Sequence, residues 1–290
     1  MITKKLTKKY IKYYLFGIRI LKKKKKYPII LDKLSPQTYK ANFLGFPPKI
    51  INSKIIINGE QNILYCDKDV VLEDSIIELN GNNSLIYLSK GHYKIHSAVF
   101  NNSTLYIGEN NYFNKPMRLI CSEEKNIFIG NNNLFSLNIF FRNADAHLIY
   151  NAETKKRINT TQSIYVGDHI WISESCSILK GTNIHSGSVI GAHSLISKKI
   201  IPSNCIAAGS PSKIIKKNIF WKGNCVHSWT TKETQKNNTC LDENFIYKHS
   251  KKEFIPFAEI EEKLNMLKSA NEKYLYLKNL PKSKNRFSNS

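Results

Sequence analysis

Residues 166–196 read VGDHIWISESCSILKGTNIHSGSVIGAHSLI, and the spacing inside this stretch decides the fold. Aliphatic residues recur every sixth position, at Val166, Ile172, Ile178, Ile184, Ile190 and Ile196. Gly167 and Gly191 stand one place after an aliphatic residue, and Cys176, Thr182, Ser188 and Ser194 stand four places after. An α-helix cannot keep every sixth side chain on one face, and a flat strand treats all even spacings alike. A triangular coil satisfies both features. Each side is one hexapeptide, the aliphatic side chain stacks inside, and the small residue fits near the corner. The stretch therefore predicts an all-β solenoid in which three hexapeptides complete a coil.

Working outward, the phrase Ile127-Phe-Ile-Gly130 returns as Ile164-Tyr-Val-Gly167 and marks two equivalent coil faces. Counting on from Ile129 gives Phe135 and Phe141, and then His147, which is not aliphatic. Regular spacing resumes at Val166. A loop must leave the coil within Leu148 to Gln162, and its Asn, Thr, Lys and Arg content suits solvent. Val166 to Asn183 and Ile184 to Ile201 form two further coils, and Pro202 breaks the register. Upstream, from Ile55 to about Leu119, short aliphatic runs alternate with Asn and Gly in a looser register that suits imperfect coils. Three regions follow: a basic helical arm and linker over 1–50, the solenoid over 51–221 with its loop at about 148–163, and an extension over 222–290. In that extension Ile260, Leu264, Leu267 and Leu275 are spaced for a helix over about 257–280.

The chain has 290 residues, with 44 Lys and Arg against 22 Asp and Glu, a formal charge of +22. Two readings fit this excess: a solvated basic surface, or attraction to anionic lipid and acidic polymers. No nucleic-acid partner is expected. Tyr13 to Leu21 is apolar, yet it contains Arg19, runs into Lys22 to Lys26 and lacks a cleavage pattern, so it does not read as a secretory signal. It is also too short to cross a bilayer. As a helix over Thr7 to Leu21, with Lys8, Lys9 and Lys12, it suits either an anionic membrane surface or packing against the domain. The six cysteines form no C-x-x-C pair, which fits free thiols in a reducing cytosol. Cys176 falls in a small-residue slot and reads as packing. The expected location is cytoplasmic, with the arm at the inner membrane surface.

The repeat, Val166-Gly-Asp-His-Ile-Trp-Ile172, Ile190-Gly-Ala-His-Ser194 and the closing Ile206-Ala-Ala-Gly-Ser-Pro-Ser-Lys213 together resemble the hexapeptide-repeat acyltransferases. The resemblance covers about Ile127 to Trp221. It implies a left-handed parallel β-helix, a homotrimer, and acetyl-CoA as co-substrate with no metal. Asp145-Ala-His147, Arg157-Ile-Asn159 and Trp171, which stands 24 residues after His147, resemble in particular the bacterial O-acetyltransferases that decorate capsular or lipopolysaccharide sugars, polysialic acid among them. That likeness implies His147 as catalytic base and Trp171 beside the acetyl donor. The first 50 and last 70 or so residues have no counterpart in it.

Acetyl transfer to a sugar hydroxyl requires a base, since an alcohol is a poor nucleophile at neutral pH, and histidine titrates in the useful range. His147 ends a coil at the root of the loop. It is expected to take the hydroxyl proton and return it to the departing thiolate, with no nucleophilic Cys or Ser. Asp145, two residues earlier, is placed to fix the imidazole tautomer. Arg157 and Asn159 are candidates for the acceptor, which would be an acidic or neutral polysaccharide. For coenzyme A, Ala192, Ser197, Gly209 and Ser210 allow close backbone approach beside Trp171, and Lys198, Lys213 and Lys216 are candidates for its phosphates. His169, His185 and His193 read as surface ladder residues, and no close His pair suits zinc. Two alternatives remain: N-acetylation of an amino-sugar nucleotide or small acceptor, and a non-catalytic binding scaffold.

Overall fold

The computed structural model describes residues 2–6, 10–15, 18–24, 29–32 and 43–289. From Phe43 to Gly209 the chain winds as a parallel β-solenoid with three faces, the left-handed β-helix that the family resemblance implies. The first face stacks strands such as Ile76–Leu79, Ile95–Val99, Met117–Cys121, Phe140–Arg142 and Ser177–Leu179. The second stacks Leu85–Leu88, Thr104–Ile107, Asn126–Ile129, Ile164–Val166 and Asn183–Ile184. The third stacks Tyr112–Phe113, Leu134–Phe135, Trp171–Ile172, Val189–Ile190 and Ile206–Gly209. An antiparallel strand, Ile29–Leu31, pairs with Ile55–Ile57 at the N-terminal edge of the first face.

All six residues of the decisive repeat are fully buried, and Phe135, Phe141 and Ile201 continue their columns. Each such side chain contributes roughly 1.5–3 kcal/mol on burial. The small slots are filled as the sequence requires: Cys176, Thr182, Ser188 and Ser194 are buried at the corners, and the Cys176 thiol bonds the Gly191 carbonyl at 3.2 Å. Burial raises the Cys176 pKa, so the thiol is packing material. The looser register upstream also has a structural form. Strand partners there lie up to 22 residues apart (Lys54 with Ile76, Arg118 with Phe140), against 18 for Ser177 with Leu195. The extra residues sit at corners, where Asn52, Asn83, Asn102, Asn110, Asn132 and Asn138 hold left-handed backbone angles.

Two expectations need correction. The N-terminal arm is not a helix: Ile2–Leu6, Tyr10–Leu15 and Ile18–Lys24 form an antiparallel sheet. Ile, Thr and Tyr favour strands, and in this segment that propensity prevails over the expected helix. Residues 7–9 and 16–17 of the expected helix lie outside the described residues. The single C-terminal helix is also two, Phe257–Met266 and Ala270–Lys278, broken at residues 267–269. Ser269 caps the second helix through the Glu272 backbone N–H, and the break moves the buried positions to Tyr274 and Leu277 while Leu275 faces solvent.

Both helices cover the second face. There Tyr65, Tyr87, Tyr106, Phe128 and Tyr165 align in register as an outward aromatic ladder, and Phe257, Ile260, Leu264, Tyr274 and Phe287 pack over it. The solenoid thus has two cores, one inside the coils and one beneath the C-terminal extension. Among the described residues no helix is long and apolar enough to cross a membrane.

Candidate functional site

The chain leaves the first face at Arg142 and rejoins the second at Ile164, so the expected loop is extruded from one corner. His147 is exposed at its root. Its carbonyl accepts a hydrogen bond from Asn159 Nδ2 at 2.7 Å, which fixes the backbone and leaves the imidazole facing out. Asn159 is buried and fully used: Nδ2 also donates to Asp145 at 3.0 Å, and Oδ1 accepts from the Ile149 N–H and from Arg157 Nε. Arg157 in turn forms a bidentate pair with Glu123 at 2.8 and 3.0 Å. Arg157 and Asn159 therefore brace the loop in this structure.

Asp145 does not reach the His147 ring. Its Oδ2 accepts from Lys180 Nζ at 2.6 Å and from Asn159, and the Lys180 bond is the main reason its carboxyl sits below the usual range. Lys180 lies at the same corner one coil later, is buried, and also donates to the Asn159 carbonyl at 3.2 Å. The sequence reading missed it. Its signal was positional, since Lys180 follows Leu179 where the coil above extrudes its loop.

Trp171 opens a strand of the third face, between Leu134 and Val189, with Ile172 pointing in and the indole pointing out. It borders a cleft of about 780 Å³ whose other walls include Tyr112, Ser136 and residues 221–227 of the C-terminal extension. Trp221 stacks on His169 with ring centroids 4.1 Å apart, its indole N–H donates to the His169 carbonyl, and His169 Nε2 donates to the Trp221 carbonyl. His169 is thus buried, with its pKa lowered chiefly by desolvation. His185 is buried as well, under Phe257, and its Nδ1 donates to the Phe287 carbonyl. Neither is the surface ladder residue expected, because the extension covers both. His193 does remain exposed, at a left-handed turn position.

The residues expected near coenzyme A fall into two groups. Ala192 turns out of the third face, and Gly209 and Ser210 end its last parallel strand, from which the chain doubles back through exposed Lys213 and Lys216. Ser197 and Lys198 stand instead on the corner that carries the loop, where the Lys198 N–H bonds the Lys180 carbonyl. The residues expected to form the site thus fall at two places on one chain: His147, with Lys180 and Lys198, on one corner, and Trp171, with Ala192 and Gly209, along another face. No loop residue lines the Trp171 cleft. Among the described residues no group of three His, Cys, Asp or Glu is placed to hold a metal ion.

No family model matches the chain. A polysialic acid O-acetyltransferase of Escherichia coli O1:K1 is 32% identical over 102 residues, which is 35% of this chain and 33% of that protein. One from Neisseria meningitidis is 29% identical over 178 residues, 61% of this chain and 82% of that protein. A crystal structure of a polysialic-acid-specific acetyltransferase superposes with a TM-score of 0.57 at 28% identity, covering 67% of this chain and 92% of the other. By sequence and by fold this chain is similar to the polysialic acid O-acetyltransferases. The fold likeness covers 67% of this chain, whereas the sequence match to the Escherichia coli protein reaches only about a third of either chain.

Proposed function

We propose that the protein is an acetyl-CoA-dependent O-acetyltransferase that modifies a sugar hydroxyl of a bacterial surface polysaccharide, with His147 as general base. The observation that carries this reading is the loop root. A backbone clamp through Asn159 presents the His147 ring to solvent at the one corner where the described solenoid lets a long loop out. The names of the polysialic acid acetyltransferases reported above support the chemistry.

His147 takes the acceptor hydroxyl proton, the oxygen attacks the acetyl carbonyl, and the protonated imidazole returns the proton to the departing thiolate. Acetyl-CoA supplies the acyl group and is the co-substrate. Asp145 acts through Lys180 and Asn159 and holds the loop on which His147 stands. Trp171 and the turn residues Ala192, Gly209 and Ser210 would hold the donor. Because the two half-sites lie on different corners of one chain, the complete site forms between adjacent copies, and a homotrimer is the assembly that supplies three such sites. The exposed apolar side chains Leu148, Ile149, Tyr150 and Ile158 on the loop give it a surface to lay against a neighbour.

His147→Ala tests this. Acetyl transfer is expected to fall by at least about 100-fold, the scale of a lost general base, with oligomeric state and acetyl-CoA binding retained. Full activity in that variant would remove His147 as base. Mild alkaline treatment of the product separates an ester, which hydrolyses, from an amide, which persists.

A further inference from the structure

The cleft on the third face has a chemistry that differs from the rest of this basic chain. Tyr112 and Trp171 stand in the same outward column with Leu134 between them. Two strand steps separate them, about 9–10 Å at the usual strand spacing. Trp221 stands beside Trp171, with ring centroids 6.0 Å apart. Around these rings the side-chain amides of Asn110, Asn114 and Asn132 and the Tyr112 hydroxyl line the cleft. None of these groups has a hydrogen-bond partner among the described residues, whereas the loop-bracing Asn159 uses its whole amide.

Charge narrows the occupant. No carboxylate lines the cleft among the described residues. Lys222 is drawn off by Asp242 at 3.6 Å and lies over the Phe245 ring, and the His169 ring is covered by Trp221, whose burial of it lowers its pKa. His227 is the basic side chain left. In a chain of net charge +22 this is a nearly neutral surface. A polyanion would find no free lysine or arginine there. A pyranose ring offers an apolar C–H face to stack on an aromatic ring and equatorial hydroxyls that donate to and accept from amides. Aromatic walls with a few unspent polar groups are the usual makeup of a small-ligand cleft.

We propose that this cleft binds an uncharged sugar unit of the acceptor glycan, and that residues 221–227 form the wall selecting it. The inference rests on the acetyl-transfer reading and sharpens it. The acceptor is a neutral or mixed polysaccharide whose uncharged residue lies against Tyr112 and Trp221, next to the Trp171 indole on the donor side, in contrast with the acidic homopolymer in the relatives' names.

The test uses the full chain, intrinsic tryptophan fluorescence and saturation-transfer NMR. The neutral probes are maltotetraose, chitotetraose and a β-galactotetraose, the anionic probe is tetrasialic acid, and acetyl-CoA binding is measured in parallel. The expected result is saturable binding of at least one neutral probe that persists in 0.5 M salt and weakens tenfold or more in Tyr112→Ala. Tyr112 is an exposed strand residue, and thermal unfolding verifies that the variant folds. A protein that binds acetyl-CoA but no neutral probe, or only tetrasialic acid in a salt-sensitive way, overturns this proposal alone. A protein that binds neither acetyl-CoA nor any sugar overturns the acetyl-transfer reading and this one with it.

Discussion

Arg286 is the most consequential buried charge in the molecule, and replacing it with Met should detach the C-terminal extension. Its guanidinium is 1% exposed and grips the Asp168 carboxylate through Nε and Nη2, both at 2.8 Å, while Nη1 donates to the Pro281 carbonyl. Asp168 precedes His169 and lies three residues before Trp171, so this one pair ties the chain's end to the coil that carries the cleft. Arg286→Met leaves a buried carboxylate with the Asn131 N–H as its remaining donor, at 2.6 Å. Stranding a charge in this way costs about 3–5 kcal/mol. A further fraction of a kilocalorie comes from the guanidinium over the Phe287 ring at 4.5 Å. The solenoid core does not depend on this pair, so the loss should appear as local release: cleavage by protease within 222–290 at denaturant concentrations that leave the coils protected. The double variant Arg286→Met with Asp168→Asn removes the stranded charge and keeps an acceptor for Asn131, so it should regain at least about half of the loss. A single variant within about 1 kcal/mol of the parent, or a double variant no better than the single, would refute the reasoning.

Other outcomes follow from the same geometry. His185 is buried with its pKa pushed down to about 4, so between about 6.5 and 4 the unfolded chain takes a proton that the folded chain refuses. Stability should fall through that window by about 3 kcal/mol, and His185→Gln should flatten the slope of urea midpoint against pH; an unchanged slope would exclude His185 as the cause. Lys180→Met removes the main cause of the lowered Asp145 pKa, so the Asp145 carboxyl should titrate at higher pH by NMR and the 148–162 loop should become protease-sensitive. If Asp145 keeps its depressed value, the Lys180 bond is not its anchor. Trp221→Ala uncovers His169, whose ring should then titrate at higher pH, and the same titration as in the parent would deny the stacked arrangement.

What the sequence made legible was whatever repeats. A six-residue register names inward and outward positions without any knowledge of neighbours, so Val166 through Ile196, the small slots and the extruded loop could all be placed in advance. The arm and the C-terminal helices obey no such period. Local propensity and a capping Ser decide them, and in the arm the strand preference of Ile and Tyr prevailed over the expected helix. The aromatic ladder shows the boundary between the two cases. Its members lie in the repeat, yet their burial depends on helices nearly a hundred residues or more away in sequence, and nothing in the coils announces that cover.

The candidate site divides along the same line. His147 and Trp171 were singled out by the family resemblance, with His147 also at the register position where the loop begins, but the side chains around them belong to other coils or to the extension. A parallel solenoid places residues of successive coils directly beside one another, so Asp145 is held by Lys180, 35 residues on, rather than turned toward the histidine two residues away. The extension, for its part, lays Trp221 onto His169 across 52 residues. In this architecture a side chain's neighbours are read one coil up or down before they are read along the chain. On the reading proposed above, specificity is set by what the extension lays over the third face: the coils supply Tyr112 and Trp171 as a bare aromatic column, and residues 221–227 turn that column into a cleft with walls on both sides.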